Sequence, residues 1–281
     1  MPIPRNISSG IQLDPGSMEV VMKVDVGDTV LLPIPPRLLG LEASLELDNL
    51  IALDEIPSNF GPQKALVVRT LSRNPSVIYR WTITNEQGLP DWIWSPPDHP
   101  LNRASPELRD YVCGLIDGHS EAIAVRKIMH HVAEVFYYGH GDGRFTDGEN
   151  EVPLVSCGLT RGTCVDIHTY ASAALRAGSV LSAYVAGVFW PEGKNLTTDM
   201  HCWLLVRETP ATNWDIAHDL IALRAPQADL LALPGVRFPL SVGRGLKFRY
   251  EGSELQISHF ALPLRVQTEG ASVIPTSLFR L

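Results

Sequence analysis

The stretch GTCVDIHTYASAALRAG, residues 162–178, is typical of one amphipathic helix that carries a cysteine at its start. Its apolar side chains recur three and four positions apart, which places them on one helical face: Ile167, Tyr170, Ala171, Ala174 and Leu175. Thr163 and Asp166 stand three apart, as in a capping box with Asp instead of the usual Glu or Gln, and Gly178 is a typical helix stop. The pattern therefore predicts a helix that begins at Cys164.

Cys164 has two interpretations on this stretch alone. As the first helical residue, its sulfur would lie beside unpaired backbone N–H groups at the positive end of the helix dipole. Both features favour the thiolate, which is the nucleophilic form of cysteine. The alternative is a small apolar side chain in the core. The rest of the chain has to decide between a reactive thiol and a buried one.

Length, charge and hydropathy limit the class of protein to which this helix can belong. The chain has 281 residues, 45 % of them hydrophobic, which is enough for one large domain or two modest ones. The formal charge of -8 is spread without runs of one sign, which argues against nucleic acid as a partner. The start, MPIPRNISSGIQLDPG, lacks the pattern of a secretory signal, and no apolar run reaches the roughly 20 residues of a membrane span. We therefore expect a cytoplasmic protein without a membrane partner.

Four cysteines are expected to be thiols in that reducing compartment: Cys113, Cys157, Cys164 and Cys202. A structural zinc site would need a pair of cysteines two to four residues apart, but Cys157 and Cys164 differ by seven positions. His201 and Cys202 are neighbours that a strand would point in opposite directions. The sequence therefore predicts neither a metal nor a cofactor.

The chain before this helix divides into three parts. Alternation in EVVMKVDV (19–26) and SVIYRWTIT (76–84) predicts a small antiparallel β-domain over residues 1–88. Prolines in residues 89–105 disfavour helix and central strand, which indicates a linker. Ser105, Pro106 and Glu107 then form a helix start, and helical spacing continues to about Tyr138. A second domain, which carries the Cys164 helix, is predicted to span residues 106–281.

A glycine-rich segment, GHGDGRFTDGENEVP (139–153), separates the two helical patterns. Its acidic residues Asp142, Asp147 and Glu149 raise the possibility of a calcium site. Their spacing does not match the twelve-residue EF-hand loop, so a solvated loop is the preferred interpretation.

Two further segments supply partners for a cysteine nucleophile. VLSAYVAGVFW (180–190) and DMHCWLLVR (199–207) are typical of strands, and the second places His201 on one face with Trp203. Fourteen positions after His201, Asp215 lies between Trp214 and Ile216 in a strand-like run, where an unpaired carboxylate would be costly. An imidazole N–H would satisfy this carboxylate and leave the other ring nitrogen to face the thiol.

Asp219 competes with Asp215 for that role. It stands where the apolar run ends, so it is expected to remain solvated. Asp215, which lies within the apolar run, is preferred.

The order of cysteine at a helix start, histidine on a strand and aspartate on the next strand resembles the transglutaminase-like family within the papain-like superfamily. The resemblance covers about residues 106–220 and is carried by four short motifs: Gly162-Thr163-Cys164, RAGSVLSAYVAG (176–187), His201 with Trp203, and Trp214-Asp215. Two positions depart from the family pattern. Leu205 stands where the family usually has Glu, and Leu181 stands where it usually has Pro.

This resemblance implies an α+β fold: a papain-like/transglutaminase core in which the cysteine helix packs on an antiparallel sheet that carries His and Asp. The N-terminal strands look like the small β-sandwich-like domain of many bacterial members. By resemblance, Cys164 is the nucleophile, His201 its acid–base partner and Asp215 the orienting carboxylate.

The implied activity is acyl transfer through a Cys164 thioester, either as a peptidase or amidase or as an amide-forming transferase. Its substrate would be a peptide, a protein or a small acyl compound. The alternative is a binding or scaffold module that keeps the fold without turnover.

Overall fold

A computed structural model describes residues 16–38, 40–84, 88–156, 158–267 and 270–280. Its α-helices are α1 (Pro106–Ile116), α2 (Glu121–Val135), α3 (Cys164–Ala177) and α4 (Ile216–Ile221). Its strands are β1 (Ser17–Met22), β2 (Thr29–Ile34), β3 (Leu41–Asp48), β4 (Leu50–Pro57), β5 (Lys64–Thr70), β6 (Ser76–Ile83), β7 (Phe136–Tyr138), β8 (Thr160–Gly162), β9 (Ser182–Pro191), β10 (Leu196–Thr197), β11 (Met200–Val206), β12 (Thr212–Trp214), β13 (Gly235–Val242), β14 (Leu246–Tyr250), β15 (Ser253–Ile257), β16 (Leu264–Gln267), β17 (Gly270–Val273) and β18 (Thr276–Arg280).

The described residues divide into two compact units that alternate along the chain. The first unit comprises residues 98–184 and 202–234, and the second comprises residues 16–97, 185–201 and 235–280. The division passes through the predicted linker and then through β9 and β11, each of which is one continuous strand. The sequence assigns residues 235–281 to the catalytic domain, whereas their described strands belong to the second unit. The two units are defined by packing and not by activity, so the boundaries 106–281 of the catalytic domain stay a prediction.

Strand pairing explains why the second unit combines segments from distant parts of the chain. It contains two five-stranded sheets, in the orders β10-β18-β1-β6-β3 and β17-β16-β2-β5-β4. The alternating pattern of residues 19–26 is confirmed for Val20 and Met22, which are fully buried, but it is wrong beyond Met22, where β1 ends, and Val26 is exposed. β1 pairs antiparallel with both β6 and β18, and β2 pairs antiparallel with β16. Strands from the two ends of the chain thus complete the same sheets.

The predicted linker is an ordered segment. Short 3-10 helices form at Asp91–Trp94 and Pro100–Asn102, where the prolines limit longer helices. Ile93 and Trp94 are buried. This segment therefore packs against the fold with its apolar side chains.

Helix α3 is the central element of the first unit and contacts α1, α2 and α4. The five apolar residues that predict its buried face are all fully buried: Ile167, Tyr170, Ala171, Ala174 and Leu175. Ser105 caps α1 as predicted, since its hydroxyl accepts the Leu108 N–H at 3.2 Å. The segment with helical spacing forms two helices, which separate at Gly118, where φ is +70°. The prediction is wrong at its end, because α2 stops at Val135 and residues 136–138 form β7.

Strands and loops complete this unit. β7 pairs parallel with β8, directly before α3, and β11 pairs antiparallel with β12. The segment 139–153 is a loop, as predicted. No helix in the described part of the chain has both the length and the apolar character of a membrane span.

Candidate active site

The start of α3 forms the capping structure that its sequence predicts. Thr163 is the N-cap and Cys164 the first helical residue. Asp166 Oδ2 accepts the Thr163 backbone N–H at 2.9 Å and the Thr163 hydroxyl at 2.7 Å. Cys164 is only 7 % exposed. Its side chain therefore lies at the first turn of a helix, where backbone N–H groups have no acceptor within the helix.

Arg144, from the loop at 139–153, joins this cap. Its Nη1 lies 2.9 Å from Asp166 Oδ2 and 2.5 Å from Thr163 Oγ1. The sequence gives no signal for this contact, because Arg144 stands in an irregular segment. The helix start that carries Cys164 is thus held by a charged partner from outside the helix.

Asp215 lies at a second helix start rather than inside a strand. β12 ends at Trp214, and Asp215 is the N-cap of α4, so the prediction of a continuing strand-like run is wrong. Its Oδ1 accepts the His218 backbone N–H at 3.2 Å. Aspartate is a preferred N-cap residue because its carboxylate satisfies such N–H groups. The Asp215 side chain is fully buried.

His218 is a site residue that the sequence interpretation missed. Its ring Nδ1 lies 2.8 Å from Asp215 Oδ2, and its side chain is only 6 % exposed. Both oxygens of Asp215 therefore bind the same residue, one through the backbone and one through the ring. An Asp followed three positions later by His, directly after a strand, was the available signal.

His168 connects the two helix starts. It is fully buried on α3, and its Nε2 accepts the Ile216 N–H of α4 at 3.1 Å. Since Nε2 accepts this bond, the ring is neutral and carries its proton on Nδ1, which lies 3.5 Å from Cys202 Sγ. The 3.9 Å separation between Nε2 and Asp215 Oδ1 is therefore a close approach and not an ion pair.

His201 lies on β11, as predicted, and is buried. In the first unit, the 2.8 Å contact between His218 and Asp215 is a hydrogen-bond distance. It is shorter than the roughly 3.3 Å between ligands of a tetrahedral zinc ion. We therefore describe Asp215 and His218 as a hydrogen-bonded pair.

Asp219 does not remain solvated, so that expectation is wrong. Its side chain is fully buried, and Arg224 Nε lies 2.5 Å from its Oδ1. The Gln227 backbone N–H binds its Oδ2 at 3.2 Å. Burial raises the pKa of the Asp219 carboxyl, while Arg224 and the Gln227 N–H oppose that shift. Helix formation after Asp215 turns Asp219 inward, which a strand interpretation could not foresee.

The three described cysteines differ in exposure. Cys113, Cys164 and Cys202 are present as thiols, of which Cys113 is exposed and the others are buried. Cys157, the fourth cysteine, lies outside the described residues.

Comparison with known proteins supports the fold of this site. No family model matches the chain, and no curated protein matches it. A solved structure described as a "Putative Cysteine Protease" from Cytophaga hutchinsonii matches with a TM-score of 0.50 at 12 % identity, covering 95 % of this chain and 98 % of that one. The periplasmic domain of TgpA from Pseudomonas aeruginosa matches with a TM-score of 0.40 at 12 % identity, covering 75 % and 90 %.

The first of these matches shows the fold and nothing finer, because its sequence identity is low. The predicted fold class, α+β with a papain-like/transglutaminase core, is thereby confirmed. The β-sandwich-like description of the N-terminal part stays a prediction.

Proposed function

We propose that this protein is a cysteine-dependent acyl-transfer enzyme of the transglutaminase-like type, with Cys164, His201 and Asp215 as its triad. One observation carries the proposal: α3 begins at Cys164, and His168 on the same helix holds the start of α4, which Asp215 caps. The proposed nucleophile and the proposed orienting carboxylate thus stand at the first turns of two helices that a buried hydrogen bond connects.

The proposed reaction has two steps. The Cys164 thiolate attacks the carbonyl carbon of an amide or thioester, while His201, having taken the thiol proton, passes it to the leaving amine or thiol. This leaves a thioester on Cys164. Water or an amine then attacks the thioester, gives its proton to His201 and releases the acid or the new amide. Backbone N–H groups at the start of α3 would stabilise the oxyanion in both steps.

Asp215 would orient His201 while bound to His218. An ionised carboxylate has about four acceptor sites on its two oxygens. His218 uses one site on each oxygen, through its backbone N–H and its ring Nδ1. By this capacity, the same carboxylate can also accept from a second imidazole. The bonds from His218 also offset the cost of burying the charge, which is several kcal/mol for an unpaired ion.

The chemistry of this triad requires neither a metal nor a cofactor. We propose a peptide, a protein or a small acyl compound as substrate, with no nucleic-acid or membrane partner. The charge of -8 disfavours phosphate-rich partners. A cytoplasmic location, which keeps thiols reduced, belongs to the same proposal.

The test is to trap the acyl intermediate. The protein is incubated with a reactive acyl donor such as p-nitrophenyl acetate, quenched in acid and measured by intact mass and peptide mapping. We expect a single acetyl adduct on Cys164, released when an amine is added. An adduct that stays equally abundant in Cys164→Ala, or no adduct beyond that of the exposed Cys113, would instead support the non-catalytic binding or scaffold module.

A further inference from the structure

Asp166 presents an electrostatic conflict at the start of α3. It stands two residues after Cys164 in the same helical turn, and its side chain is only 5 % exposed. A carboxylate there is favoured by the helix dipole and completes the cap. The same negative charge opposes a thiolate at Cys164, and burial leaves little water to screen it.

Arg144 resolves this conflict by geometry. Its Nη1 contacts both Asp166 Oδ2, at 2.9 Å, and Thr163 Oγ1, at 2.5 Å. Asp166 Oδ2 therefore accepts from three groups, namely the guanidinium, the Thr163 hydroxyl and the Thr163 backbone N–H. An arginine guanidinium keeps its positive charge at all relevant pH values, so it offsets a negative charge on Asp166.

Two sets of contacts hold the loop that carries Arg144. The Arg144 backbone N–H binds Asp147 Oδ2 at 2.7 Å, and the Asp147 N–H binds the Arg144 carbonyl oxygen at 3.1 Å. The next residue, Phe145, places its ring 5.5 Å from that of Phe136 and 6.0 Å from that of Tyr170 on α3. A closed turn and an aromatic contact thus fix the position of a charge that is itself 45 % exposed.

We propose that Arg144 is a positioning residue of the site, which neutralises Asp166 and thereby keeps Cys164 in its thiolate form. The inference rests on the proposed function, because it assigns a purpose to the thiolate. It goes further by giving the 139–153 loop a part in activating the nucleophile. A purely structural role would stabilise the cap without changing the charge state of the sulfur.

Other titratable groups around the helix start are unchanged in the test variants. These groups lie on α3 itself, on the helices and strand next to it, and on β11. They include Arg161 of β8, His131 of α2, His168 of α3, His201 of β11, and Asp215 and His218 of α4. A difference between variants therefore reports on the pair of Arg144 and Asp166.

The experiment measures the rate at which iodoacetamide alkylates Cys164 as a function of pH, by peptide mapping of the full chain. We expect Arg144→Gln to move the midpoint of this curve to higher pH, so that alkylation at mildly acidic pH slows by about three- to tenfold. Arg144→Lys keeps the charge and should retain most of the rate. Arg126→Gln, an exposed arginine on α2, is the matched control and should leave the curve unchanged.

A double substitution separates charge from structure. Asp166→Asn removes the negative charge, so Arg144→Gln combined with Asp166→Asn should return the curve to within about twofold of wild type. The proposal is overturned if Arg144→Gln leaves the curve in place, or if the double variant is as slow as Arg144→Gln. If Cys164 of the wild type is no more reactive than Cys113, the proposed function fails first. Circular dichroism melting shows in each case that the variant is folded.

Discussion

Two helix starts in the first unit each bury a carboxylate but pair it with different side chains. Each has a buried carboxylate in its cap: Asp166 at the third residue of α3 and Asp215 at the N-cap of α4. At α3 the partner is a guanidinium, brought by Arg144 from a loop. At α4 the partner is the imidazole of His218, one turn further along the same helix.

The difference between the partners assigns the two starts different tasks. A guanidinium cannot release its proton under ordinary conditions, so the pair of Arg144 and Asp166 supplies a constant electrostatic environment. An imidazole has two distinct nitrogens, and hydrogen bonds fix which of them carries the proton. The start of α3 is therefore suited to set the charge of the nucleophile, and the start of α4 to set the orientation of a histidine.

The largest expected effect comes from removing the nucleophile at α3. Cys164→Ala and Cys164→Ser should abolish acyl transfer and acyl-adduct formation with the fold intact, because the sulfur is the attacking atom. Cys113→Ala, on the exposed face of α1, should be mild, and the same is expected for Cys157→Ala. The check is a rate measurement for each variant. More than a trace of activity in Cys164→Ala excludes Cys164 as nucleophile.

The next largest effect is expected from substituting one of two carboxylates at α4. Asp215→Asn keeps size but offers an imidazole the wrong hydrogen-bonding group, so the rate should fall by orders of magnitude, roughly 10⁴-fold as in a serine protease triad. Asp219→Asn instead breaks a buried pair with Arg224 and should lower the free energy of unfolding by about 3 kcal/mol. Rates and urea unfolding are measured side by side. The reverse result, with a slow but stable Asp219→Asn, transfers the orienting role to Asp219.

A smaller effect tests the imidazole partner at α4 itself. His218→Ala removes the donor to Asp215 Oδ2, whereas His218→Asn places an amide N–H near the former Nδ1. We expect His218→Ala to lower kcat about tenfold with little change in KM, and His218→Asn to restore most of it. Equal losses in the two variants would show that the ring matters by its volume and not by its hydrogen bond.

The smallest effect concerns a further histidine, His131, whose ring contacts Tyr170 of α3. His131 bonds the hydroxyls of Tyr111 and Tyr170 at 3.2 and 2.9 Å, and burial lowers its pKa although Glu134 opposes the shift. In the unfolded chain a histidine takes up a proton near pH 6.5, and folded His131 does so only at lower pH. The unfolded state thus binds more protons in this range, so stability should fall as the pH decreases below about 6.5.

Melting temperatures at about pH 7.5 and about pH 5.5 test this dependence. His131→Gln should reduce the difference between the two temperatures, since the titrating ring is gone. His130→Gln, at the exposed neighbouring position on α2, is the control. An unchanged difference in His131→Gln would assign the acid sensitivity to other groups.

The contrast between the two starts also shows what a sequence can reveal. At α3, cap, apolar face and stop lie within residues 162–178, so local pattern alone predicts the helix and the position of Cys164. Helix α4 has six residues, too few for a helical period to stand out beside the strand-like Trp214 and Ile216. The helix, and with it the roles of His218 and Asp219 in the fold, was therefore missed.

Local sequence patterns also do not predict contacts between distant segments of the chain. Arg144 reaches Asp166 from 22 positions away, and His168 reaches Ile216 across 48 positions. In the second unit, β1 pairs with β18 at the other end of the chain, which no periodicity encodes. The sequence therefore predicts elements and candidate residues well, whereas their partners depend on tertiary packing.

Competitive alkylation shows whether Cys164, although buried, is an activated thiol. Wild-type protein is treated with limiting iodoacetamide at mildly acidic pH, and the labelling of each cysteine is measured by peptide mapping. We expect Cys164, 7 % exposed, to react before the exposed Cys113, and His201→Ala to remove this preference near neutral pH because the stabilising imidazolium is lost. Labelling of Cys113 ahead of Cys164 would show that Cys164 is not activated, and an unchanged pH curve in His201→Ala would show that His201 is not its partner.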